Sequence, residues 1–103
     1  MGNMGAMMKQ AQKMQAELAK AQDEIKDMEY EATAGGGMGK VGATGDMAIK
    51  SIAIDPEAVD PEDVDMLQDM VLAAVNEALR GMSDVSAQRL NSVTGGMNIP
   101  GLM

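Results

Sequence analysis

Residues 4–30 read MGAMMKQAQKMQAELAKAQDEIKDMEY, and the placement of apolar side chains in this stretch decides the fold. The apolar positions follow one another at steps of three and four residues: Met4, Met7, Ala11, Met14, Leu18, Ala21, Ile25 and Met28. Such alternation over four heptads is the repeat of a coiled coil, so the stretch predicts a helix with one apolar seam. At 1.5 Å per residue the helix is about 40 Å long, which is longer than a small domain is wide.

Either of two surfaces can cover this apolar seam. It can pack on a second helix of the same chain, or it can serve, at least in part, to pair two copies of the chain. A chain of 103 residues with 13 Met and a single aromatic builds a small, adaptable core, which favours oligomerisation. Off the seam, Lys13 and Glu17 stand four residues apart, as do Lys20 and Glu24, and this spacing predicts ion pairs along the helix.

Residues 28–54 change from helical spacing to alternation interrupted by glycine. Residues 29–33 alternate, a run of three glycines follows, and residues 38–44 form a strand candidate weakened by its own glycines. Thr44-Gly45-Asp46 is typical of a hairpin turn, and residues 47–54 make the stronger strand. Two or three short antiparallel strands fit this length.

A second long helix is predicted after the strands. Asp60 is a cap residue, Pro61 suits the first helical position, and the acidic residues that follow favour the positive end of a helix. Apolar residues continue at helical spacing to Val85, and the helix can run past Leu90 to the stop at Gly95-Gly96. The chain is therefore α+β, with a long helix on each side of a short antiparallel sheet. We expect a single domain over 1–103, with 1–5 and 96–103 as flexible tails.

Composition excludes most catalytic chemistry. The chain has no His and no Cys, so it offers no imidazole base, no thiolate and no familiar zinc site. Its serines therefore have no base to activate them, and we expect a protein that is not an enzyme. With Tyr30 as the single aromatic, stacking on unpaired bases is essentially absent, and Tyr30 is expected in the core or an interface. No apolar run is long enough to span a membrane and no signal peptide is present, so a cytoplasmic setting is expected.

Two motif matches fail on their context. Residues 37–42 match G-x-G-x-x-G, but they follow a glycine break and lead into a hairpin, whereas a dinucleotide site needs a strand before and a helix after. The acidic residues of 55–69 lack the spacing and the central glycine of a calcium-binding loop. We therefore expect neither a cofactor nor a metal.

The formal net charge of −8 is unevenly distributed. Residues 55–79 hold eight acidic and no basic side chains, so this part of the chain accounts for the whole excess. An acidic total argues against a simple cationic nucleic-acid binder, because duplex DNA repels such a protein at long range. The placement of the basic side chains therefore decides whether the chain can bind DNA.

Five segments in register resemble one family. They read MKQAQKMQ at 8–15, IDPE at 54–57, DPEDV at 60–64, DMVLAAVNEA at 69–78 and TGGMNIPGL at 94–102. Together they resemble the YbaB/EbfC family of bacterial nucleoid-associated proteins over nearly the whole chain. The resemblance implies an α-β-β-β-α fold with a three-stranded sheet and an intertwined homodimer. It also implies projecting, tweezer-like helices that bind DNA with little sequence preference, in the cytoplasm and on the bacterial nucleoid.

These expectations give two hypotheses for function. The first is a homodimer whose basic side chains contact the phosphates of duplex DNA without reading bases. The candidate residues are Lys9, Lys13 and Lys20 on the first helix, Arg80 and Arg89 on the second, and, less strongly, Lys40 and Lys50 in the hairpin. The alternative is a dimeric scaffold or adaptor that binds other proteins and not DNA. Convergence of the basic side chains on one face favours DNA, whereas their dispersal among carboxylates favours the scaffold.

Overall fold

The structure, a computed structural model, describes residues 3–94. Its elements are, in chain order, α1 (Asn3–Lys26), β1 (Glu29–Ala34), β2 (Gly39–Thr44), β3 (Ile49–Ile54) and α2 (Val64–Thr94), with a short 3-10 turn at Pro56–Ala58. This order confirms the predicted α+β class and the α-β-β-β-α arrangement. The second strand forms in spite of its glycines, because it is the central strand and pairs on both sides.

The sheet has the order β1-β2-β3, and both pairings are antiparallel. Helix α2 packs across β1 and β2. The core between them consists of Ala32, Val41, Ala43, Ala74, Ala78 and Met82. Most of these side chains are small, so the helix lies close to the sheet.

Strand β3 is left largely uncovered. Ile52 lies opposite the buried Val41, so both side chains point to the face on which α2 packs. Yet Ile52 is 50% exposed, because α2 lies over the two other strands. One apolar edge of the sheet face therefore has no cover within the described chain.

Helix α1 packs on α2 only along its second half. Ala21 and Ile25 are buried there, whereas residues 3–13 are exposed throughout. The molecule measures 75 × 25 × 15 Å, and its radius of gyration of 20.1 Å far exceeds the value of about 13 Å typical of a compact chain of this length. The apolar seam is thus covered by the chain's own α2 at one end and uncovered at the other.

The first helix ends earlier than predicted. It ends at Lys26, and Tyr30 belongs to β1, where it pairs with Ala43 of β2. The Tyr30 ring packs against α2 at Gly81, where an added Cβ would lie 2.1 Å from the ring. Tyr30 is half-buried beside the core, which agrees with the expectation that it is a packing residue.

The second helix begins later than predicted. The Asp63 carboxylate accepts a hydrogen bond from the Met66 N–H at 3.2 Å and so caps α2, which starts at Val64. Asp60, the predicted cap, instead accepts from the Glu62 N–H in the preceding turn. Of the predicted tails, residues 3–5 belong to α1, and residues 96–103 lie outside the described residues.

Candidate nucleic-acid interface

Three of the seven predicted DNA-contacting residues form a row on α1. Because each helical residue turns the chain by about 100°, Lys9, Lys13 and Lys20 point within about 40° of one another. They span about 16 Å along the helix axis and lie on the side opposite the apolar seam. We call this row the lysine stripe.

The lysine stripe carries no internal counter-charge. Within residues 3–94, no carboxylate lies within ion-pair distance of any of its three ammonium groups. The ion pairs predicted from spacing, Lys13 with Glu17 and Lys20 with Glu24, are therefore wrong. For Lys20 the reason is tertiary, since α2 brings an arginine to the Glu24 carboxylate.

That arginine is Arg89, which links the two helices. Its Nε and Nη2 atoms donate to Oε2 of Glu24 at 3.0 and 2.5 Å, and its Nη1 donates to the Ser92 hydroxyl at 2.9 Å. A guanidinium presents several N–H donors in a fixed fork, so it competes well for a carboxylate against a flexible lysine. Arg89 and Lys20 line the same shallow hollow between α1 and α2, but the Arg89 charge is already compensated.

The other predicted contacts are also paired with carboxylates: Lys40 with Glu31 at 3.8 Å, Lys50 with Glu29, and Arg80 with Glu77 and, at 3.4 Å, with Asp84. The Glu77 carboxylate, through its hydrogen bonds with Arg80, raises the pKa of this guanidinium. The structure thus disperses Lys40, Lys50, Arg80 and Arg89 among acidic partners. It leaves the lysine stripe as the one uncompensated cationic row in the described chain.

The acidic segment, residues 55–69, lies at the other end of the molecule. It contains seven acidic residues, and within the described chain none of them has a Lys or Arg at ion-pair distance. Residue 65 lies about 35 Å along α2 from Arg89, which faces the inner end of the lysine stripe. The molecule is therefore electrically polar along its length.

The G-x-G-x-x-G motif lies in the sheet. Residues 37–42 form the end of a turn and most of β2, and a strand rather than a helix follows. Among residues 3–94 no group of three or more acidic side chains is placed to hold a metal ion. In the same residues, no helix has the length and apolarity needed to cross a membrane.

An α-β-β-β-α chain whose three aligned lysines have no ion-pair partner among residues 3–94 has the surface chemistry of a nucleic-acid-binding protein. Comparison with known families agrees: the chain belongs to the YbaB/EbfC DNA-binding family, which matches residues 1–97. This confirms the resemblance and the expectation of a DNA-binding protein rather than an enzyme.

Relatives extend over nearly the full length. A nucleoid-associated protein of Alkaliphilus metalliredigens is 54% identical over 97% of this chain and 88% of its own. A nucleoid-associated protein of Pelotomaculum thermopropionicum is 55% identical over 98% of this chain and 96% of its own. Among solved structures, the uncharacterized protein HP0035 of Helicobacter pylori matches with a TM-score of 0.61 and 22% identity. The match covers 76% of this chain and 90% of the HP0035 chain, and it supports the fold alone.

Proposed function

We propose that the chain is a homodimeric, nucleoid-associated protein that binds duplex DNA through lysine–phosphate contacts, with little sequence preference. The observation that carries the proposal is the lysine stripe: three aligned ammonium groups on a projecting helix without acidic partners within the described chain. Because no carboxylate lies within ion-pair distance of them in the described chain, they are free to replace the counterions along a phosphate backbone.

The low sequence preference follows from the chemistry of the free groups. Bases are read most strongly by paired hydrogen bonds in the major groove, above all from arginine to guanine. Arg80 and Arg89 are both engaged with carboxylates, and the free cations are lysines, which act as flexible point charges. The stripe is therefore suited to backbone contacts, which position a protein on DNA without reading sequence.

Homodimerism is supported by apolar surface that the described chain does not cover. Met4 and Met7 of the apolar seam are 75% and 67% exposed, and Ile52 and Ile49 of β3 are 50% and 36% exposed. A second copy that covers the sheet face or the seam buries such surface, which is favourable. It also supplies a second lysine stripe, so that one dimer offers six phosphate contacts rather than three.

Two relatives are named nucleoid-associated proteins, and we infer the bacterial nucleoid, in the cytoplasm, as the location of this activity. The dispersal of Lys40, Lys50, Arg80 and Arg89 among carboxylates favours the alternative, a dimeric scaffold without DNA binding. That alternative gives no role to the three aligned lysines that point away from the apolar seam, and the DNA-binding family of the chain favours DNA.

The test is a titration of random-sequence duplex with the full chain, measured by fluorescence anisotropy from about 50 to 200 mM salt. Six phosphate contacts per dimer predict a slope of log K against log salt of about −5. Competitor duplexes of different base composition should be equivalent within a few-fold. Sedimentation in parallel reports whether the chain is a dimer. Absence of binding at the lowest salt by a sedimenting dimer contradicts the proposal, as does a slope near zero.

A further inference from the structure

A methionine groove lies at the acidic end of the molecule, far from the lysine stripe. It forms where the β1–β2 turn meets the 3-10 turn and the start of α2, and it is lined by Gly35, Met38, Glu57, Met66, Leu67 and Met70. Its volume is about 300 Å³, at the lower end of the range for binding pockets. Nothing in the DNA-binding proposal uses it.

The walls of the methionine groove suit a partner of variable shape. Met66 is 64% exposed on one wall, and Met70 packs against Gly35 of the β1–β2 turn and Gly39 at the start of β2. Methionine has three rotatable bonds and a polarizable sulfur, so such walls repack around different apolar side chains. The groove is thus an adaptable apolar surface that the described chain leaves open.

The charges around the groove define the chemistry of its occupant. Glu57 lines it directly, and other acidic residues of the segment are neighbours of the lining residues in the sequence, with Asp65 and Asp69 next to Met66 and Met70. Asp55 and Asp63 accept hydrogen bonds from the backbone N–H groups of Glu57 and Met66, which orients their carboxylates without neutralising them. Five of the eight basic residues have acidic partners, yet no acidic residue of 55–69 has a basic one among the described residues. The acidic segment therefore lacks cationic partners, which another molecule can supply.

We propose that the methionine groove docks a segment of another protein in which a short apolar anchor is flanked by Lys or Arg. The anchor enters the groove, and the flanking cations meet the acidic segment. Electrostatic complementarity of this kind mainly accelerates association and selects among partners. Duplex DNA is unsuitable as the occupant, because its phosphates are repelled by the same carboxylates.

The apolar seam of a second copy of the chain fits the groove poorly. Its basic row, the lysine stripe, lies on the side of α1 opposite the apolar seam. A copy that placed seam methionines in the groove would therefore point Lys9, Lys13 and Lys20 away from the acidic segment. The geometry favours a partner whose cations flank its apolar anchor.

The test uses the full chain with isotope-labelled methionine methyl groups and the peptide KRKLLQLLKRK as probe. We expect the NMR signals of Met38, Met66 and Met70 to shift on peptide addition, while those of Met4 and Met7 on the free part of α1 do not. The peptides EDELLQLLEDE and KRKSSQSSKRK, which lack the cations and the anchor respectively, should bind at least about tenfold more weakly.

Matched variants show which residues contribute to binding of the peptide. Met66→Gln removes an exposed apolar wall and should weaken binding of the peptide about tenfold, whereas Met8→Gln, a change of similar exposure off the apolar seam of α1, should leave it unchanged. Glu57→Gln should weaken binding about threefold and reduce its salt dependence, with Glu17→Gln on α1 as the control.

Three results overturn the proposal. The first is binding that leaves the three groove methyl groups unshifted, and the second is equal binding of either control peptide. The third is a shift of the groove signals with protein concentration alone, which assigns the groove to a second copy. DNA binding is read independently, since a variant with all three stripe lysines changed to Gln should retain full affinity for the peptide.

Discussion

The two ends of the molecule differ in the sign of their charge and in the surface that accompanies it. The lysine stripe runs along α1 from the projecting half, with Lys9 and Lys13, to Lys20 beside α2, and the start of α2 carries the acidic segment next to an apolar groove. Between them, basic and acidic side chains are paired, as in Arg89 with Glu24 and Lys50 with Glu29. A net charge of −8 therefore describes neither of the surfaces that a partner meets.

Distance keeps the two ends independent. At physiological salt, charges are screened over about 8 Å, whereas the acidic segment lies about 35 Å from the inner end of the lysine stripe. An acidic protein can on this basis bind a polyanion at one end and a cationic partner at the other. Four sets of substitutions test this description of the molecule.

The largest effect is expected where the hairpin turn holds the end of α1. The Gly45 N–H donates to the Met28 carbonyl at 3.0 Å, and a Cβ on Gly45 would lie 1.6 Å from the carbonyl oxygen of Ile25. Gly45→Ala forces backbone apart and should cost about 3 kcal/mol of unfolding free energy, measured by thermal unfolding. Gly5→Ala is the control: an added Cβ meets nothing within 4 Å there, and alanine should stabilise the helix by up to about 1 kcal/mol. A melting temperature of Gly45→Ala equal to that of the parent would refute this packing.

The next effect concerns the basic end. A variant with Lys9, Lys13 and Lys20 all changed to Gln should bind random duplex at least about 100-fold more weakly at low salt, because it loses most of its phosphate contacts. The slope of log K against log salt should approach zero. Anisotropy over a salt series measures both quantities.

A matched control separates position from total charge. Changing Lys26, Lys40 and Lys50 to Gln removes the same number of charges, but from lysines that already have acidic partners. This variant should bind DNA within about threefold of the parent. Equal losses in both triple variants would show that net charge, and not the lysine stripe, governs binding.

A smaller effect is expected at the link between the helices. Glu24→Gln removes the charge partner of Arg89, and because both side chains are more than a third exposed the unfolding free energy should fall by only about 0.5–1 kcal/mol. DNA affinity should rise about twofold, since a cation beside Lys20 is released. Asp23→Asn, whose partner Lys26 lies on the same helix, should change neither quantity measurably. A fall in DNA affinity for Glu24→Gln would mean that the ion pair positions α1 for binding.

The smallest effect is expected from the acidic end. Changing Glu57, Glu62 and Asp65 to their amides should alter DNA affinity less than about twofold at 0.15 M salt, because the screening length is about 8 Å. At about 0.01 M salt, where this length is about 30 Å, affinity should rise severalfold. A gain of equal size at both salt concentrations would show that the acidic segment lies close to the bound DNA.

Much of this fold is predictable from local patterns. The heptad spacing predicts α1, and alternation with glycine breaks predicts the strands. The residues at which the helices end are harder to predict from the sequence. Met28 continues the helical spacing, but pairing of Tyr30 with Ala43 draws the chain into the sheet. Asp60 and Asp63 are equally good caps in sequence, and only the hydrogen bond to Met66 distinguishes the one that starts α2.

The candidate site divides in the same way. The positions 9, 13 and 20 fall on one side of any helix, so their alignment is readable from spacing alone. The ion pair between Arg89 and Glu24 joins residues that are 65 positions apart in the sequence, and it depends on how α1 packs on α2. The pairs of Lys40 with Glu31 and Lys50 with Glu29 depend on strand pairing. The sequence therefore identifies the candidate basic residues, and the tertiary structure determines which of them have no acidic partner.

The exposed first half of α1 has a consequence for the motions of the protein. Residues 3–13 are exposed throughout, so this part of α1 gains little from tertiary packing, which supplies most of the stability of helices in proteins. Their amide hydrogens should therefore exchange with solvent far faster than those around Ala78 in the core. On the proposed mode of DNA binding, this part of α1 frays in the free protein and becomes more fully helical when its lysines contact phosphates.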